Sequence, residues 1–306
     1  MKVLLFCNDI QSAQIAFELI RLRHFAGIVV PCGKNELIDS ISHSGYIQED
    51  LLFTPDPDND KELVEIINKI EPDLGLVATF PRIFPKAIFT LPRLGFYNIH
   101  YGMLPNYRSA NPVFWQIRNG EKSGGVSIFK IDETIDGGAI VMAEQFPIEI
   151  YDNYAVVLSK SVDLACRMVE PFMQKIKSGA LNPVSQDQAD AKYYSKPGID
   201  DVRIDWKNMT MNEIVATVNA GNPWNRGAIT TLDENEVRLV QVSPAQYPND
   251  LPDAPGKIAL ANVQHGVFVI CKNQELLRVD TVYTKLGYHS GGLMLCTGIQ
   301  EGKVFY

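Results

Sequence analysis

The segment LVEIINKIEPDLGLVA, residues 63–78, decides the fold of the first half of the chain, because a helix pattern in it leads into a strand pattern. Its apolar side chains recur at the i, i+3, i+4, i+7 spacing of an amphipathic helix, at Leu63, Ile66, Ile67 and Ile70. The run LGLVA at residues 74–78 is apolar throughout, as expected for a strand that is covered on both faces. A helix that leads into such a strand is typical of a parallel sheet.

The same alternation extends to both sides of this segment. A helical pattern fills residues 10–23, and further apolar runs that predict strands lie at 3–6, 26–30, 51–55 and 94–99. Downstream, GGVSIFKI and AIVMAEQFPI predict a strand pair joined by the loop DETIDGG. A long helix is predicted from Asn153 to Lys177, with Asp152 as its N-cap. We therefore predict an α/β domain whose parallel sheet is covered by helices.

The composition of the sequence changes after Gly179. Residues 181–202 are polar and rich in turn formers, which predicts a linker between a domain at 1–180 and a second domain at 203–306. In the second domain five short apolar runs predict strands, at 227–233, 236–242, 256–262, 266–271 and 275–284. Five strands with tight turns predict a small β-barrel.

The composition narrows the class of protein. Of the 306 residues, 46% are apolar and 21% are charged, as in soluble globular proteins. The first apolar run is interrupted at Asn8, Asp9 and Gln11, before a signal peptide or a membrane-spanning helix is complete. We therefore expect a cytoplasmic protein without a membrane segment.

Metal and nucleotide sites are not indicated. The five cysteines lie far apart and the five histidines are dispersed, without the paired spacings of a zinc site or of a disulfide framework. The amino-terminal half contains neither G-x-G-x-x-G nor G-x-x-x-x-G-K-[ST]. We expect reduced thiols, no metal, and no nucleotide held in a glycine-rich loop.

The stretch FYNIHYGMLPNYR, residues 96–108, places Asn98 and His100 at the carboxyl end of a predicted strand, where ligands bind in sheets of this kind. The loop DETIDGG adds Asp136. An imidazole that titrates near neutral pH, an aspartate that orients it and an amide that donates to an oxyanion suit acyl transfer to an amine. From spacing alone, a structural role for His100 and a turn-forming role for Asp136 remain open.

Three motifs carry a resemblance to a known family. NIHYGMLPNYR and DETIDGG resemble the patterns N-x-H, S-L-L-P-x-x-[RK]-G and D-x-G-x-D-x-G of the folate-dependent formyltransferases, and RIDWKNMTMNEIVATVNAGNPWNRGAI resembles the opening of their C-terminal domain. That family includes methionyl-tRNA formyltransferase and aminosugar N-formyltransferases. The resemblance covers nearly the whole chain and implies a Rossmann-like domain followed by a small open, OB-like β-barrel. It matches Asn98, His100 and Asp136 to the catalytic positions and implies 10-formyltetrahydrofolate as the formyl donor.

The resemblance also implies binding residues. The folate donor is expected near ATFPRIFP and KIDETID, at Phe80, Arg82, Ile83, Ile131, Asp132 and Glu133. The acceptor is expected at Tyr101, Gly102, Met103, Leu104, Pro105 and Arg108. Alternative roles remain open: core or loop packing for Phe80 and Ile83, and pairing with a surface carboxylate, rather than with an acidic ligand group, for Arg108. Trp224 either stacks on a ligand or anchors the packing of its domain.

Four positions depart from the family pattern. The serine, the first leucine and the last glycine of S-L-L-P-x-x-[RK]-G are replaced by Gly102, Met103 and Ser109, and the first glycine of D-x-G-x-D-x-G is replaced by Thr134. These changes leave the catalytic trio intact and bear on acceptor recognition.

The implied reaction is the attack of a neutral acceptor amine on the formyl carbon of the donor. We expect Asn98 and the imidazolium of His100 to stabilise the oxyanion. Asp136 is expected to hold His100 and to help remove the amine proton.

Charge favours a small or carrier-bound amine, such as an aminosugar nucleotide or an amino acid, as the acceptor. The net charge is −8, and residues 34–60, where the transfer-RNA-specific enzymes carry a basic insertion, hold one lysine and seven acids. Residues 200–306 hold nine basic and twelve acidic residues, which is a poor surface for a polyanion. A methionyl-tRNA formyltransferase is the alternative. A formyltetrahydrofolate hydrolase and a non-catalytic folate-binding protein also remain open.

Overall fold

The structure, a computed structural model, describes residues 1–56, 58–246 and 254–306. By its internal contacts this part of the chain divides into two compact units. Unit 1 comprises Met1–Pro112, Gly124–Phe146 and Leu158–Tyr194, and unit 2 comprises Val113–Ser123, Pro147–Val157 and Ser195–Tyr306. Each unit is built from three separate stretches of the chain, whereas the expected domains, 1–180 and 203–306, are each continuous. The expected domain boundaries therefore stay a prediction.

The first part of the chain alternates strands and helices. The strands are β1 Val3–Cys7, β2 Phe25–Val29, β3 Leu52–Phe53, β4 Leu74–Ala78, β5 Phe96–His100, β6 Arg108–Ser109, β7 Ser123–Lys130 and β8 Ile140–Pro147. The helices are α1 Ile10–Arg21, α2 Asn35–His43, α3 Asp60–Ile70, α4 Lys86–Phe89, α5 Pro112–Arg118 and α6 Tyr154–Ser178. Every strand predicted in this part is present, whereas β6, α2, α4 and α5 were not predicted.

The remaining residues form mainly strands. They are β9 Tyr193–Tyr194, β10 Ala228–Leu232, β11 Asn235–Ala245, β12 Ile258–Asn262, β13 Gly266–Ile270, β14 Leu276–Thr284 and β15 Gly287–Ser290, with one helix, α7 Met211–Ala220. Short 3-10 helices lie at Glu49–Leu51, Asp200–Val202, Lys272–Gln274 and Gly291–Thr297.

The first sheet has seven strands in the order β3-β2-β1-β4-β5-β7-β8. The pairs from β3 to β5 are parallel and β7 joins β5 antiparallel, so the predicted Rossmann-like α/β sheet is confirmed. The chain moves outward from β1 through β2 to β3 and then returns to the other side of β1 with β4. The carboxyl ends of β1, β4 and β5 therefore meet at the edge where sheets of this topology bind ligands.

Aromatic rings fill one face of this sheet. Phe6 packs against Phe96 with ring centroids 5.1 Å apart, and Phe80 and Phe84 stack on each other at 5.6 Å. All four side chains are buried, with exposed fractions of 8% or less. The rings place a rigid apolar floor below the carboxyl edge of the strands.

The start of α6 corrects one local prediction. Asn153 is the N-cap, because its Oδ1 accepts a hydrogen bond from the backbone N–H of Val156 at 3.1 Å. The predicted cap, Asp152, is wrong: its carboxylate accepts from the backbone N–H of Glu149 at 2.8 Å, in the turn before the helix. Gly179 follows the last helical residue at φ +67°, the left-handed conformation that glycine adopts without strain.

The second sheet is antiparallel, in the order β10-β11-β14-β13-β12, with β15 added to β14. All five strands predicted there are confirmed, whereas β15 was not predicted because GYHS is short and polar. In the part of the chain that is described, the edge strands β10 and β12 do not pair with each other. Within this unit the indole of Trp206 stacks on Phe305 at 5.8 Å and donates to Thr230 Oγ1 at 2.9 Å.

Among the described residues, none of the helices combines the length and the apolar character needed to cross a bilayer.

Candidate active site

Strand β5 directs two of the candidate catalytic side chains to one face of the sheet. Asn98 and His100 are two residues apart, and alternate residues of a strand share a face. Phe96 lies on the same face and belongs to the aromatic floor, so Asn98 and His100 stand above that floor at the carboxyl edge. His100 is 6% exposed. Asn98 Oδ1 is buried and has no hydrogen-bond partner among the described residues.

The imidazole of His100 is held by a carbonyl group. Its Nε2 contacts the backbone oxygen of Tyr107, and because a carbonyl oxygen only accepts, Nε2 donates. The contact therefore fixes the ring and assigns the proton of the neutral form to Nε2. In the structure as described, Nδ1 has no protein partner, which leaves it available to a substrate.

Asp136 contacts the same segment as His100, residues 107–109, but at a different residue. Its backbone is left-handed, with φ +49°, and its Oδ2 accepts a hydrogen bond from the backbone N–H of Ser109 at 2.7 Å. The expectation that Asp136 holds His100 directly is not met, since no hydrogen bond or ion pair joins the two side chains within the described part of the chain. The reason is that the carboxylate turns toward the backbone of residues 107–109, and that segment also holds His100.

Arg108, between those two contacts, is almost fully buried, with 1% of its surface exposed. Its guanidinium donates to three uncharged side chains: to Gln186 Oε1 from Nε at 3.1 Å and from Nη2 at 2.9 Å, and to Gln188 Oε1 and the Tyr193 hydroxyl from Nη1 at 2.8 Å each. The alternative of a surface carboxylate as its partner is wrong, because Arg108 forms no ion pair among the described residues. Its expected contact with the acceptor stays a prediction.

Gln186 connects Arg108 to the loop of Asp136. Its Nε2 donates to the carbonyl oxygens of Asp136 at 2.8 Å and of Gly138 at 2.7 Å. Nothing in the sequence signalled Gln186, which lies in the polar segment taken as a linker. Gln186 reaches this loop only because the chain beyond α6 returns to it.

The residues expected to bind the folate donor divide into two groups. Phe80 is part of the buried aromatic floor, which supports the packing alternative for this residue, whereas Ile83 is 70% exposed. Arg82 forms an ion pair with Asp60. The donor contacts expected for these residues stay predictions.

The second group lies between β7 and Asp136. The backbone N–H of Ile131 donates to the Phe96 carbonyl at 2.9 Å, and Asp132 Oδ1 accepts from the backbone N–H of Thr134 at 2.8 Å. Glu133 is exposed and pairs with Lys86, Nζ to Oε1, at 2.7 Å. These contacts order the loop, and Glu133 links it to α4.

The residues expected to bind the acceptor are all buried or half-buried. The Tyr101 hydroxyl contacts Ser12 Oγ at 2.8 Å, and burial raises the pKa of Tyr101 above its ordinary value. This side chain therefore packs under α1 with little exposed surface, and its expected contact with the acceptor stays a prediction. Leu104 is also buried, and its backbone N–H donates to Ser127 Oγ at 3.1 Å. Met103 and Pro105 are half-buried.

Gly102 has a steric reason to be glycine. A Cβ at this position would lie 2.8 Å from Pro112 Cβ, 3.0 Å from Tyr107 Cβ and 3.1 Å from His100 Nε2. The family pattern has serine here, and in this chain the loop comes too close for any side chain.

Asn8 is a further polar residue at the same edge that was not singled out from the sequence. It directly follows β1, and its Oδ1 is buried without a hydrogen-bond partner among the described residues. A signal was available, because the residue after a buried parallel strand lies at the carboxyl edge. Two amide oxygens at this edge, those of Asn8 and Asn98, thus lack the donor that a buried acceptor requires.

The motifs match two family models. Residues 13–166 match the model described as formyl transferase, and residues 199–287 match the model described as formyl transferase, C-terminal domain. The first match covers half of the chain.

Similar curated proteins are methionyl-tRNA formyltransferases. The enzyme of Kosmotoga olearia is 32% identical over 189 residues, or 61% of this chain and 60% of that protein. The enzyme of Thermotoga maritima is 29% identical over 198 residues, or 65% of this chain and 63% of that protein. The chain therefore spans less than two thirds of the length of these relatives.

Solved structures support the fold. An N-formyltransferase from Helicobacter canadensis, in complex with folinic acid and dTDP-3-aminofucose, matches with a TM-score of 0.69 at 14% identity, covering 91% of this chain and 98% of that one. HypX from Aquifex aeolicus, in complex with tetrahydrofolic acid, matches with a TM-score of 0.66 at 19% identity, covering 98% of this chain and 48% of that one.

Proposed function

The chain belongs to the folate-dependent formyltransferase family, and from that premise we propose that it transfers the formyl group of 10-formyltetrahydrofolate to the primary amine of a small or carrier-bound acceptor. One observation carries the proposal: residues 107–109 contact both His100 and Asp136, at the sheet edge where Asn98 Oδ1 has no hydrogen-bond partner among the described residues. The contacts of this segment with an imidazole and a carboxylate, and the position of the Asn98 carboxamide two residues before His100 on β5, support roles for the three side chains in acyl transfer to an amine.

The three side chains take separate roles. The donor supplies the formyl carbon. Asn98 donates an amide N–H to the formyl oxygen as negative charge develops there. His100 acts through Nδ1 as a second donor when the ring is protonated, because Nε2 is already bound to Tyr107. Asp136 accepts the proton of the attacking amine on the carboxylate oxygen that Ser109 does not occupy. When the adduct collapses, the bond between the formyl carbon and N10 of the donor breaks, and N10 takes up that proton as tetrahydrofolate leaves.

The site also fits a ligand rich in N–H groups, such as a pterin. The buried amide oxygens of Asn8 and Asn98 need donors that the protein does not provide in the described residues. The loop after β4, with the exposed side chain of Ile83, and residues 131–136 are the segments proposed to hold the donor. The expected donor-binding residues all lie in these two segments.

Charge supports a small acceptor. The chain has a net charge of −8, and residues 34–60 carry seven acids against one lysine, which disfavours a phosphate backbone. The complex of the Helicobacter canadensis neighbour with dTDP-3-aminofucose supports an aminosugar nucleotide as the acceptor class. The second candidate is methionyl-tRNA formyltransferase, which the names of the similar curated proteins favour.

A direct assay tests the proposal. The purified protein is incubated with 10-formyltetrahydrofolate and, in turn, aminosugar nucleotides, amino acids and charged initiator transfer RNA, and formation of tetrahydrofolate is followed. We expect turnover with a small amine. Formate release without an amine would identify a hydrolase, absence of consumption with every amine would identify a binding protein, and activity confined to transfer RNA would identify the second candidate.

Variants test the site. His100→Ala and Asp136→Asn should lower single-turnover rates by about 10²-fold or more in a folded protein. His265→Ala is the matched control, because His265 is an exposed turn residue in unit 2. Wild-type rates in both site variants would exclude the proposed roles.

A further inference from the structure

We infer that Gln186 positions Asp136 by holding the backbone of residues 132–138, an inference that rests on the catalytic role proposed for Asp136. Gln186 is 50 positions away along the chain. Its Nε2 donates to the carbonyl oxygens of Asp136 at 2.8 Å and of Gly138 at 2.7 Å. One planar amide thus binds two carbonyl groups on either side of Gly137 and sets the segment that carries the carboxylate.

The loop needs this external support. Asp136 has φ +49°, a conformation that is unfavourable for a residue with a side chain and that persists only where neighbours enforce it. Gly138 is pressed against β7, where a Cβ would overlap the carbonyl oxygen of Lys130. Gln186 is 9% exposed, so water competes weakly for its two hydrogen bonds.

Arg108 sets the orientation of the Gln186 amide. A guanidinium has five N–H donors and no acceptor, so only the oxygen of Gln186 faces it. Nε and Nη2 of Arg108 both donate to Gln186 Oε1, at 3.1 Å and 2.9 Å. The nitrogen of the same amide must therefore face the two carbonyl groups. Glutamine satisfies both sides, whereas glutamate would satisfy the arginine and offer the carbonyl groups no donor.

Residues 107–109 link His100, Gln186 and Asp136 to one another. Tyr107 binds His100 through its carbonyl, Arg108 binds Gln186, and Ser109 binds the Asp136 carboxylate through its N–H. Three consecutive residues therefore contact the imidazole, the positioning amide and the carboxylate. A shift of the loop after loss of Gln186 moves the carboxylate relative to the imidazole, and misplacement by about 1 Å costs about 10²-fold in rate.

The test compares Gln186→Glu with Gln188→Glu. Gln188 is the matched control, because it also accepts from Arg108, at 2.8 Å, and is exposed. We expect Gln186→Glu to lower kcat for formyl transfer by about 10²-fold with little change in the KM of the donor, and Gln188→Glu to stay within about threefold of wild type. Equal kcat values in the two variants would overturn the inference.

A double-mutant cycle separates positioning from a general structural effect. If Gln186 acts through the carboxylate, Gln186→Glu should cost little in the background of Asp136→Asn. Additive losses in kcat would show that Gln186 acts elsewhere.

Hydrogen exchange of the peptide that covers residues 132–138 gives a readout that does not depend on turnover. Exchange should be faster in Gln186→Glu than in wild type and unchanged in Gln188→Glu. Unchanged exchange in Gln186→Glu would overturn the inference even if the enzyme is active. If wild type transfers no formyl group, the proposed function fails, and the exchange comparison still decides whether Gln186 holds the loop.

Discussion

At the scale of single residues, one departure from the family pattern, Thr134, is accommodated by a nearby glycine. Thr134 stands where the pattern D-x-G-x-D-x-G has its first glycine, and Gly137 occupies a position that the pattern leaves open. A Cβ at Gly137 would overlap Thr134 Oγ1 and lie 3.0 Å from Thr134 Cβ. The threonine side chain thus fills the space that a side chain at 137 would need.

This contact predicts coupling between the two positions. Gly137→Ala should destabilise the protein by about 1–3 kcal/mol, because the new methyl group overpacks against Thr134. Thr134→Gly should remove most of that loss when the two changes are combined. The free energies of unfolding in urea of the four proteins of the cycle measure the coupling, and simple additivity would contradict the steric account.

Ser109 also shows why the family pattern has glycine at its position. Its backbone has φ +77°, a region that glycine enters freely and that is unfavourable for other residues. Only its backbone N–H binds Asp136. The family's glycine would therefore keep the contact with Asp136 and remove the strain.

We expect Ser109→Gly to raise the free energy of unfolding by about 1 kcal/mol with kcat unchanged, since relief of the left-handed strain outweighs the added freedom of the unfolded chain. Ser109→Ala is the matched control, because it removes the hydroxyl and keeps the strain. Thermal unfolding and formyl transfer measure both effects. An equal rise in Tm for the alanine variant would show that the hydroxyl, and not the backbone, was unfavourable.

At the scale of elements, α7 begins with a reciprocal cap. Thr210 Oγ1 accepts from the backbone N–H of Glu213 at 3.4 Å, and Glu213 Oε2 accepts from the backbone N–H and hydroxyl of Thr210 at 2.7 Å each. The backbone hydrogen bond, followed by the hydroxyl, lowers the pKa of Glu213 below its ordinary value. The cap therefore favours the ionised carboxylate.

Removal of this cap should lower the stability of the protein and change how that stability depends on pH. Thr210→Ala should cost about 1 kcal/mol at pH 7. Because the pKa of Glu213 is lower in the folded protein, its charge-dependent contribution is present above about pH 4.3, the ordinary glutamate pKa, and is lost as the pH falls through the folded value.

Glu213→Gln should accordingly lose less stability on acidification than wild type. Glu234→Gln, in the turn between β10 and β11, is the control and should keep the wild-type pH dependence. Urea unfolding at pH 7 and at about pH 3.5 measures both variants, and parallel pH profiles for wild type and Glu213→Gln would contradict the assignment.

At the scale of the whole molecule, each unit holds one exposed and one buried thiol, and unit 1 also holds the half-buried Cys166. Cys32 is exposed and Cys7 is fully buried in unit 1, while Cys296 is exposed and Cys271 is fully buried in unit 2. Burial is the main cause that raises the pKa of Cys7, and it raises the pKa of Cys271 to about 12. The buried thiols therefore become reactive only when their unit opens.

We expect a maleimide at pH 8 to label Cys32 and Cys296 rapidly and to leave Cys7 and Cys271 unlabelled until the protein is unfolded in urea. Peptide mass spectrometry after timed quenching measures the four sites in one experiment. Rapid labelling of Cys7 in the native protein would contradict its burial in the first sheet, and rapid labelling of Cys271 would contradict its burial in the core of unit 2.

Part of the site could be anticipated from the sequence. Asn98, His100 and Asp136 were identified from a family-like motif, and the strands from local apolar patterns. The sequence did not indicate Gln186, since a polar residue in a turn-rich segment carries no local signal. It also did not indicate that Arg108 would be buried among uncharged partners, because burial of a charge depends on what the rest of the chain brings to it.

The sequence by itself determined where most of the strands and the longer helices form and that the core of the first sheet, from β3 to β5, is parallel, because apolar periodicity acts between neighbours in the chain. Only the tertiary structure decided how the site is held: Asp136 binds the backbone of Ser109, 27 positions away, and Arg108 binds Gln186, 78 positions away. Such contacts depend on how loops from separate elements meet at one edge of the sheet. That meeting is set by packing and strand order, which local patterns do not encode.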